Sequence, residues 1–261
     1  MSHDRVVGVV AVSEGVRITG NTVLPARREA VTLVTEDGLR LVGELALPEG
    51  RAARATLVML HPLPTHGGMM DSHLLRKAAW RLPALAGAAV LRFNTRGTAS
   101  EAGRSEGSFD NARGERLDVA AALAFVADRG LPDVWVVGWS FGTDLALMHG
   151  CDPRVVGAIL ISPPLRWSSS EHLVKWVDKR VVCLVPEHDD YLPPTEARRR
   201  FGADLPTADV IDFPGAKHLF VGQADEVLDA IVSAALPEVP TPLPRTWSGP
   251  CERHQAVITT S

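Results

Sequence analysis

The chain is 261 residues long, 46% apolar and 22% charged, with a formal net charge of −4. That length and balance predict one globular domain with short additions, able to bury a core without help from a metal or disulfides. The lack of a basic excess argues against nucleic acid or anionic lipid as a partner. Cys151, Cys183 and Cys251 are widely spaced and form no CxxC pair, so neither a disulfide framework nor a zinc site is indicated. Met1 to Ser13 has no basic region followed by a long apolar stretch, and no apolar run approaches the roughly 18 residues of a membrane span. The expected location is the cytoplasm.

Residues 1–28 read as an N-terminal extension in which Val6–Val10 could add a strand. Val31–Thr35 and Leu39–Leu45 flank Glu36-Asp37-Gly38, a hairpin signal. Thr56–Leu60 is a short apolar strand, and a helix follows over about Ser72–Leu85. Ala89–Phe93 is the next strand, then a Gly/Ser/Glu-rich loop over Thr95–Asp110 and a helix over Arg113–Asp128. Val134–Val137 is a strand and Gly142–His149 a helix. Val155–Ile161 is a strand, and Leu173, Val174, Trp176 and Val177 suggest a short amphipathic helix. Val181–Val185, with Cys183 in its middle, is a strand; Pro194–Phe201 is a helix, Ala208–Phe213 a strand, and Leu219–Ala235 the final helix. Two leading strands and then repeated strand–helix units predict an α/β fold. Its central sheet is mostly parallel, with helices on both faces, over residues 29–237. Residues 238–261, rich in Pro, Thr and Ser, read as an extended or disordered tail.

G-x-S-x-G occurs twice, as Gly103–Gly107 and as Gly138-Trp139-Ser140-Phe141-Gly142. A nucleophile elbow requires a strand immediately before the serine and a helix immediately after. Val134–Val137 and Thr143–Met148 supply both for Ser140. Ser105 sits in a polar, Gly-rich loop and has neither.

A serine hydroxyl needs a histidine base and a carboxylate that orients it, and in this arrangement the chain order is Ser, acid, His. His218, after the strand ending at Phe213 and before the last helix, is the best-placed base; His149, His172 and His188 are the competitors. The acid is expected after Val181–Val185, where Glu187, Asp189 and Asp190 are all available. The Phe141 N–H and that of Leu63, between Pro62 and Pro64, are the expected oxyanion donors, because proline offers none. His61, His66 and His73 lack the spacing of a metal site. His61 is expected instead to order the oxyanion loop by hydrogen bonding.

These residues resemble the α/β-hydrolase superfamily over about Val31–Leu236. The likeness is nearest to small cap-less serine hydrolases carrying HPHP-x-x-GG, then R-F-N-x-R-G, then G-x-S-x-G-x-F-D. The corresponding segments are His61–Gly68, Arg92–Gly97 and Gly103–Asp110. The resemblance implies that Gly103–Gly107 is a loop motif of the family, not its elbow. It also implies an acid motif G-x-x-D-x-x-x-P that selects Asp189, and a G-A-x-H-x-F motif over Gly215–Phe220, giving Ser140, Asp189 and His218 as triad. Leu63 stands where a histidine is common, and Thr98–Ala102 looks like an insertion that could reshape the pocket rim.

The function expected is hydrolysis of a small carboxylic ester or thioester through an acyl-enzyme on Ser140, without cofactor or metal. The segment Pro163–Lys179 is too short for a cap domain; Trp167, Leu173 and Trp176 could form a small flap or pack in the core. Met69, Met70, Trp139, Leu192 and Phe220 are the expected pocket residues. The competing readings are a peptidase or amidase, which an extra propeller or large cap would favour, and a non-catalytic binding protein on the same fold, against which an intact triad speaks.

Overall fold

The computed structural model describes residues 15–253, so Val6–Val10 lies outside the described residues. Eight strands build the central sheet: β1 (Arg27–Val34), β2 (Arg40–Leu47), β3 (Ala55–Leu60), β4 (Ala88–Phe93), β5 (Val134–Trp139), β6 (Val155–Ile161), β7 (Arg180–His188) and β8 (Asp209–Lys217). Their spatial order is β8-β7-β6-β5-β3-β4-β2-β1. β1 pairs antiparallel with β2, and β2 antiparallel with β4; every other pairing is parallel. The helices are α1 (His73–Ala86), α2 (Glu115–Asp128), α3 (Phe141–His149), the single turn α4 (Ser170–Leu173), α5 (Pro194–Asp204) and α6 (Ala224–Ala235).

Strand periodicity divides the core into two layers. Successive side chains point to opposite faces, so Val58 and Leu60 join one cluster with Val119, Leu145, Trp176 and Phe201. Leu57 and Met59 join the other, with Leu75, Val227 and Ile231. α2, α3 and α5 therefore cover one face and α1 and α6 the other. The chain runs from β3 to β4 on one side and then returns to β5 on the other side of β3. The carboxyl ends of β3 and β5 thus flank the point where strand order reverses, which is where open α/β sheets place their sites.

Charged residues in the R-F-N-x-R-G segment hold the loops at this end. Arg92, nearly buried, pairs with Glu44 and Asp71 and donates to the Met70 carbonyl at 3.0 Å. Asn94 accepts the Met70 N–H at 2.9 Å. Arg96 donates to Asp118 Oδ1 from Nε and Nη2 at 3.0 and 2.8 Å, and its own N–H donates to Asp118 Oδ2 at 2.8 Å. The Ser105 hydroxyl, fully buried, donates to the Asn94 carbonyl at 2.7 Å and accepts the Val42 N–H at 2.9 Å. Ala99–Ser100 and Gly103–Arg104 form a two-stranded hairpin, so Thr98–Ala102 folds on itself near β2 and lines no part of the cleft described below.

Several expected bounds move. β7 extends to His188 and β8 to Lys217, so part of each expected loop is strand. The last helix starts at Ala224, not directly after His218: Phe220 at φ +50° and Gly222 at φ +85° turn the chain first. Residues 238–253 run back along the N-terminal segment, where Val16–Arg17 pairs with Thr246–Trp247 and Thr22–Val23 with Glu252–Arg253.

Asp118 is fully buried and satisfies a nearly buried guanidinium, and removing one partner of such a pair strands the other charge. Asp118→Ala is expected to cost about 3 kcal/mol, read as a lower urea midpoint; a loss of the size seen at surface pairs would contradict this role.

Candidate active site

Ser140 follows the last residue of β5 and precedes the first of α3, at φ +52° and ψ −119°. An L-residue reaches that conformation only under constraint, and the constraint comes from close backbone packing on both sides. A Cβ on Gly138 would lie 2.3 Å from the Gly142 oxygen, and one on Gly142 would lie 2.1 Å from the Leu60 oxygen. The Ser140 N–H donates to the Ile161 carbonyl at 2.8 Å, and its own carbonyl accepts the Thr143 hydroxyl at 2.7 Å. The turn lifts the hydroxyl above the carboxyl edge of the sheet.

His218 lies one residue past β8, and the structure brings it to Ser140. The Ser140 Oγ to His218 Nε2 distance is 2.8 Å, and His218 Nδ1 lies 2.9 Å from Asp189 Oδ2. Asp189 Oδ1 accepts the N–H groups of Tyr191 and Leu192 at 2.8 and 3.1 Å. A carboxylate taken up as acceptor on both oxygens requires the proton on Nδ1, which leaves Nε2 free to accept from the serine. Of the three candidate acids, Asp189 alone is buried and faces the histidine. Glu187 caps the Gly215 N–H at 2.7 Å, and Asp190 is exposed.

Three side chains fix the histidine loop from other elements. The His218 carbonyl accepts Ser162 Oγ at 2.8 Å and Trp139 Nε1 at 3.3 Å, and the Leu219 carbonyl lies 2.8 Å from His73 Nε2. The competing histidines are engaged elsewhere: His149 against the Ala112 carbonyl, His172 in the turn at Ser169, and His188 on the surface.

Phe141 and Leu63 both line the cleft beside Ser140, and neither N–H donates to an acceptor among the described residues. His61 holds the Leu63 loop. It is fully buried, its Nδ1 lies 2.7 Å from the Pro62 carbonyl, and its Nε2 accepts the Thr95 N–H at 3.1 Å. Burial lowers its pKa to about 4, against a partial rise from the Pro62 carbonyl. His61 is therefore a neutral clamp between the loops after β3 and β4. Among the described residues no three His, Cys, Asp or Glu side chains group as a metal site.

The cleft is about 230 Å³ and is lined by residues including Leu63, His66, Phe141, Trp167, Tyr191 and Leu219 around Ser140 and His218. The expected pocket residues Met69, Met70, Trp139, Leu192 and Phe220 do not line it. Met70, Trp139, Leu192 and Phe220 are buried in the protein, and Met69 is half-buried with its N–H on Ser72 Oγ. Nearness to a motif in sequence misplaced them, because Trp139 and Phe220 point into the layer beneath the sheet edge. The segment expected as flap or core is both. Leu173 and Trp176 are buried, whereas Trp167 packs edge-on against Phe141 at 5.1 Å and forms a cleft wall. The buried Asp144 carboxylate anchors that wall, accepting the N–H groups of Arg166, Trp167 and Ser168 and the Ser168 hydroxyl at 2.6–3.3 Å. Burial pushes the Asp144 pKa up while those four donors pull it back. Tyr191, 4.6 Å from the His218 ring, was reachable from sequence only as a neighbour of the acid.

No family model matches the chain. An uncharacterized protein of Rickettsia prowazekii is 34% identical over 127 residues, 45% of this chain and 51% of that protein, so the chain spans about half the length of this curated relative. Among solved structures, an α/β serine hydrolase without a lid from Xanthomonas campestris superposes with TM-score 0.68 at 24% identity, covering 84% of this chain and 98% of that one. A putative α/β hydrolase from Agrobacterium tumefaciens gives TM-score 0.66 at 26% identity, covering 83% and 99%. An α/β serine hydrolase homologue from Coxiella burnetii gives 0.66 at 24%, covering 78% and 95%. The chain has the α/β-hydrolase fold in its cap-less form.

Two variants separate scaffold from site. The His61 pKa is depressed in the folded protein, so its contribution is full above about 6.5, where the unfolded histidine is also neutral. It is lost as pH falls toward about 4. A shift of this size corresponds to an upper limit of about 3 kcal/mol. In His61→Gln the slope of stability against pH between those values is expected to fall by about one proton, measured by denaturant midpoints; an unchanged slope would contradict the buried neutral assignment. Ser105→Ala is expected to lower stability by about 1 kcal/mol or more, with active-site labelling retained.

Proposed function

We propose that the protein is a serine hydrolase that cleaves small carboxylic esters or thioesters through an acyl-enzyme on Ser140. The observation that carries this reading is the continuous hydrogen-bonded line from Ser140 Oγ through the His218 ring to Asp189, with the serine in a strained elbow. His218 Nε2 takes the hydroxyl proton as Oγ attacks the carbonyl carbon, and the carbonyl π pair moves onto oxygen. The Phe141 and Leu63 N–H groups donate to that oxyanion. Asp189 holds the Nδ1–H tautomer and stabilises the imidazolium. The carbonyl re-forms as the C–O or C–S bond to the leaving group breaks, and His218 passes its proton to that group. Water then gives a proton to His218 as its oxygen attacks the acyl carbon, the C–Oγ bond breaks as the carbonyl re-forms, and His218 returns the proton to Ser140 Oγ, which frees the carboxylic acid and the serine.

The machinery needs nothing beyond these side chains, two backbone donors and water. The open cleft suits small substrates, with an aromatic and aliphatic wall for an acyl or alcohol chain. A fluorophosphonate probe is expected to label the wild type and Ser105→Ala but not Ser140→Ala. Ser140→Ala is expected to lower kcat on p-nitrophenyl esters by about 10³-fold or more. Labelling that survives Ser140→Ala and is lost in Ser105→Ala would reverse the assignment, and no labelling of the wild type would favour a binding protein.

A further inference from the structure

The cleft has one permanent charge in its lining, the guanidinium of Arg166. Its lining includes Arg166 and His66 and no Asp or Glu, in a chain whose net charge is −4. The other lining residues beyond Ser140 and His218 are apolar or aromatic, or proline.

Arg166 differs from most arginines of the protein. Arg92, Arg96, Arg154, Arg198 and Arg199 each bond to a carboxylate. The Arg166 guanidinium pairs with no carboxylate among the described residues and lies 4.6 Å from the centre of the Trp167 ring. Its backbone is fixed, since its N–H and the next two all donate to the buried Asp144 carboxylate. Trp167 in turn meets Phe141, the residue after Ser140, edge-on at 5.1 Å. A guanidinium is thus stacked on a ring, anchored through its main chain, and left with its planar fork open to an acceptor. The stack pre-organises it, so less side-chain freedom is lost on pairing than for a free surface arginine. Arg166 is exposed beside a cleft whose other lining is largely aromatic and aliphatic, so an acceptor that pairs with it would be carried on a substrate with an apolar portion.

We propose that the cleft selects esters or thioesters bearing an anionic group, a carboxylate or phosphate beyond a short apolar spacer, and that Arg166 is the specificity-determining residue. This rests on the serine-hydrolase reading of Ser140. The anion could belong to the acyl or to the leaving-group portion, and two substrate pairs separate these sources. One pair is p-nitrophenyl hydrogen adipate against p-nitrophenyl hexanoate. The other is 4-(hexanoyloxy)benzoate against phenyl hexanoate, with product measured by chromatography.

For at least one pair, the ratio of kcat/KM for the anionic over the neutral member is expected to fall about tenfold or more in Arg166→Gln, mainly through KM. Arg166→Lys is expected to restore part of it, and added salt to lower the wild-type ratio. Ratios unchanged by Arg166→Gln in both pairs would overturn the inference. So would an equal loss on both members of each pair, which marks Arg166 as a wall residue only. Hydrolysis of neutral esters with either of those results leaves the serine-hydrolase reading standing. Absence of all hydrolysis together with absence of fluorophosphonate labelling overturns that reading and this one with it.

Discussion

The candidate site depends on how closely two stretches of backbone approach at the end of β5. Gly138 and Gly142 bracket Ser140, and neither has room for a single extra carbon: the main chain of α3 fills the space over one, and the end of β3 fills it over the other. That packing forces the serine into a left-handed conformation which an isolated peptide would abandon. The strain is met by the surrounding sheet, whose β3 and β5 are buried throughout and, with β6, are hydrogen-bonded on both sides. The same contact pins the start of α3 onto the end of β3, next to the loop that carries Leu63.

Around that fixed point the mobile parts of the chemistry are tied by single, directed hydrogen bonds. The histidine loop has its carbonyls taken by Ser162, Trp139 and His73, from three different elements. The loop bearing Leu63 is tied by His61 to Thr95, and the wall at Trp167 by Asp144. Apart from the partly exposed His73, each anchor is buried. In such surroundings an unpaired polar group is costly, so each loop has one strongly preferred position. Rigidity at the rim therefore comes from polar side chains under the loops, together with the ring contacts of Trp167 with Phe141 and of Tyr191 with His218.

The order of strands and helices was legible because buried parallel strands read as continuous apolar runs, and the Asp-Gly turn fixed the leading hairpin. Ser140 could be separated from Ser105 by the strand before it and the helix after it. Chain order led to His218, and the resemblance to cap-less α/β hydrolases picked Asp189 from three neighbouring carboxylates. The cleft wall was not legible. Met69, Met70, Trp139, Leu192 and Phe220 stand beside the motifs in sequence, yet four of the five are buried. Which side of a loop faces the cleft is decided by local turns, such as the positive φ at Ser162, Leu165 and Phe220, for which the residue type gives no warning. Arg166 and Trp167 follow the turn at Leu165, and Tyr191 is set by its N–H on Asp189. The start of α6 was misplaced for the same reason.

The two ends of the described chain are clasped. Val16–Arg17 meets Thr246–Trp247, Thr22–Val23 meets Glu252–Arg253, and the buried Leu243 packs with the layer that holds α1 and α6. These contacts join residues far apart along the chain, so closing them costs more loop entropy than a local turn. The N-terminal segment is also tied to α1, where Arg81 donates to the Thr19 carbonyl at 2.6 Å and the Leu24 N–H donates to the Trp80 carbonyl at 2.9 Å. The clasp thus reaches the candidate site at second hand: it fastens α1, and α1 carries the His73 whose Nε2 lies 2.8 Å from the Leu219 carbonyl beside His218.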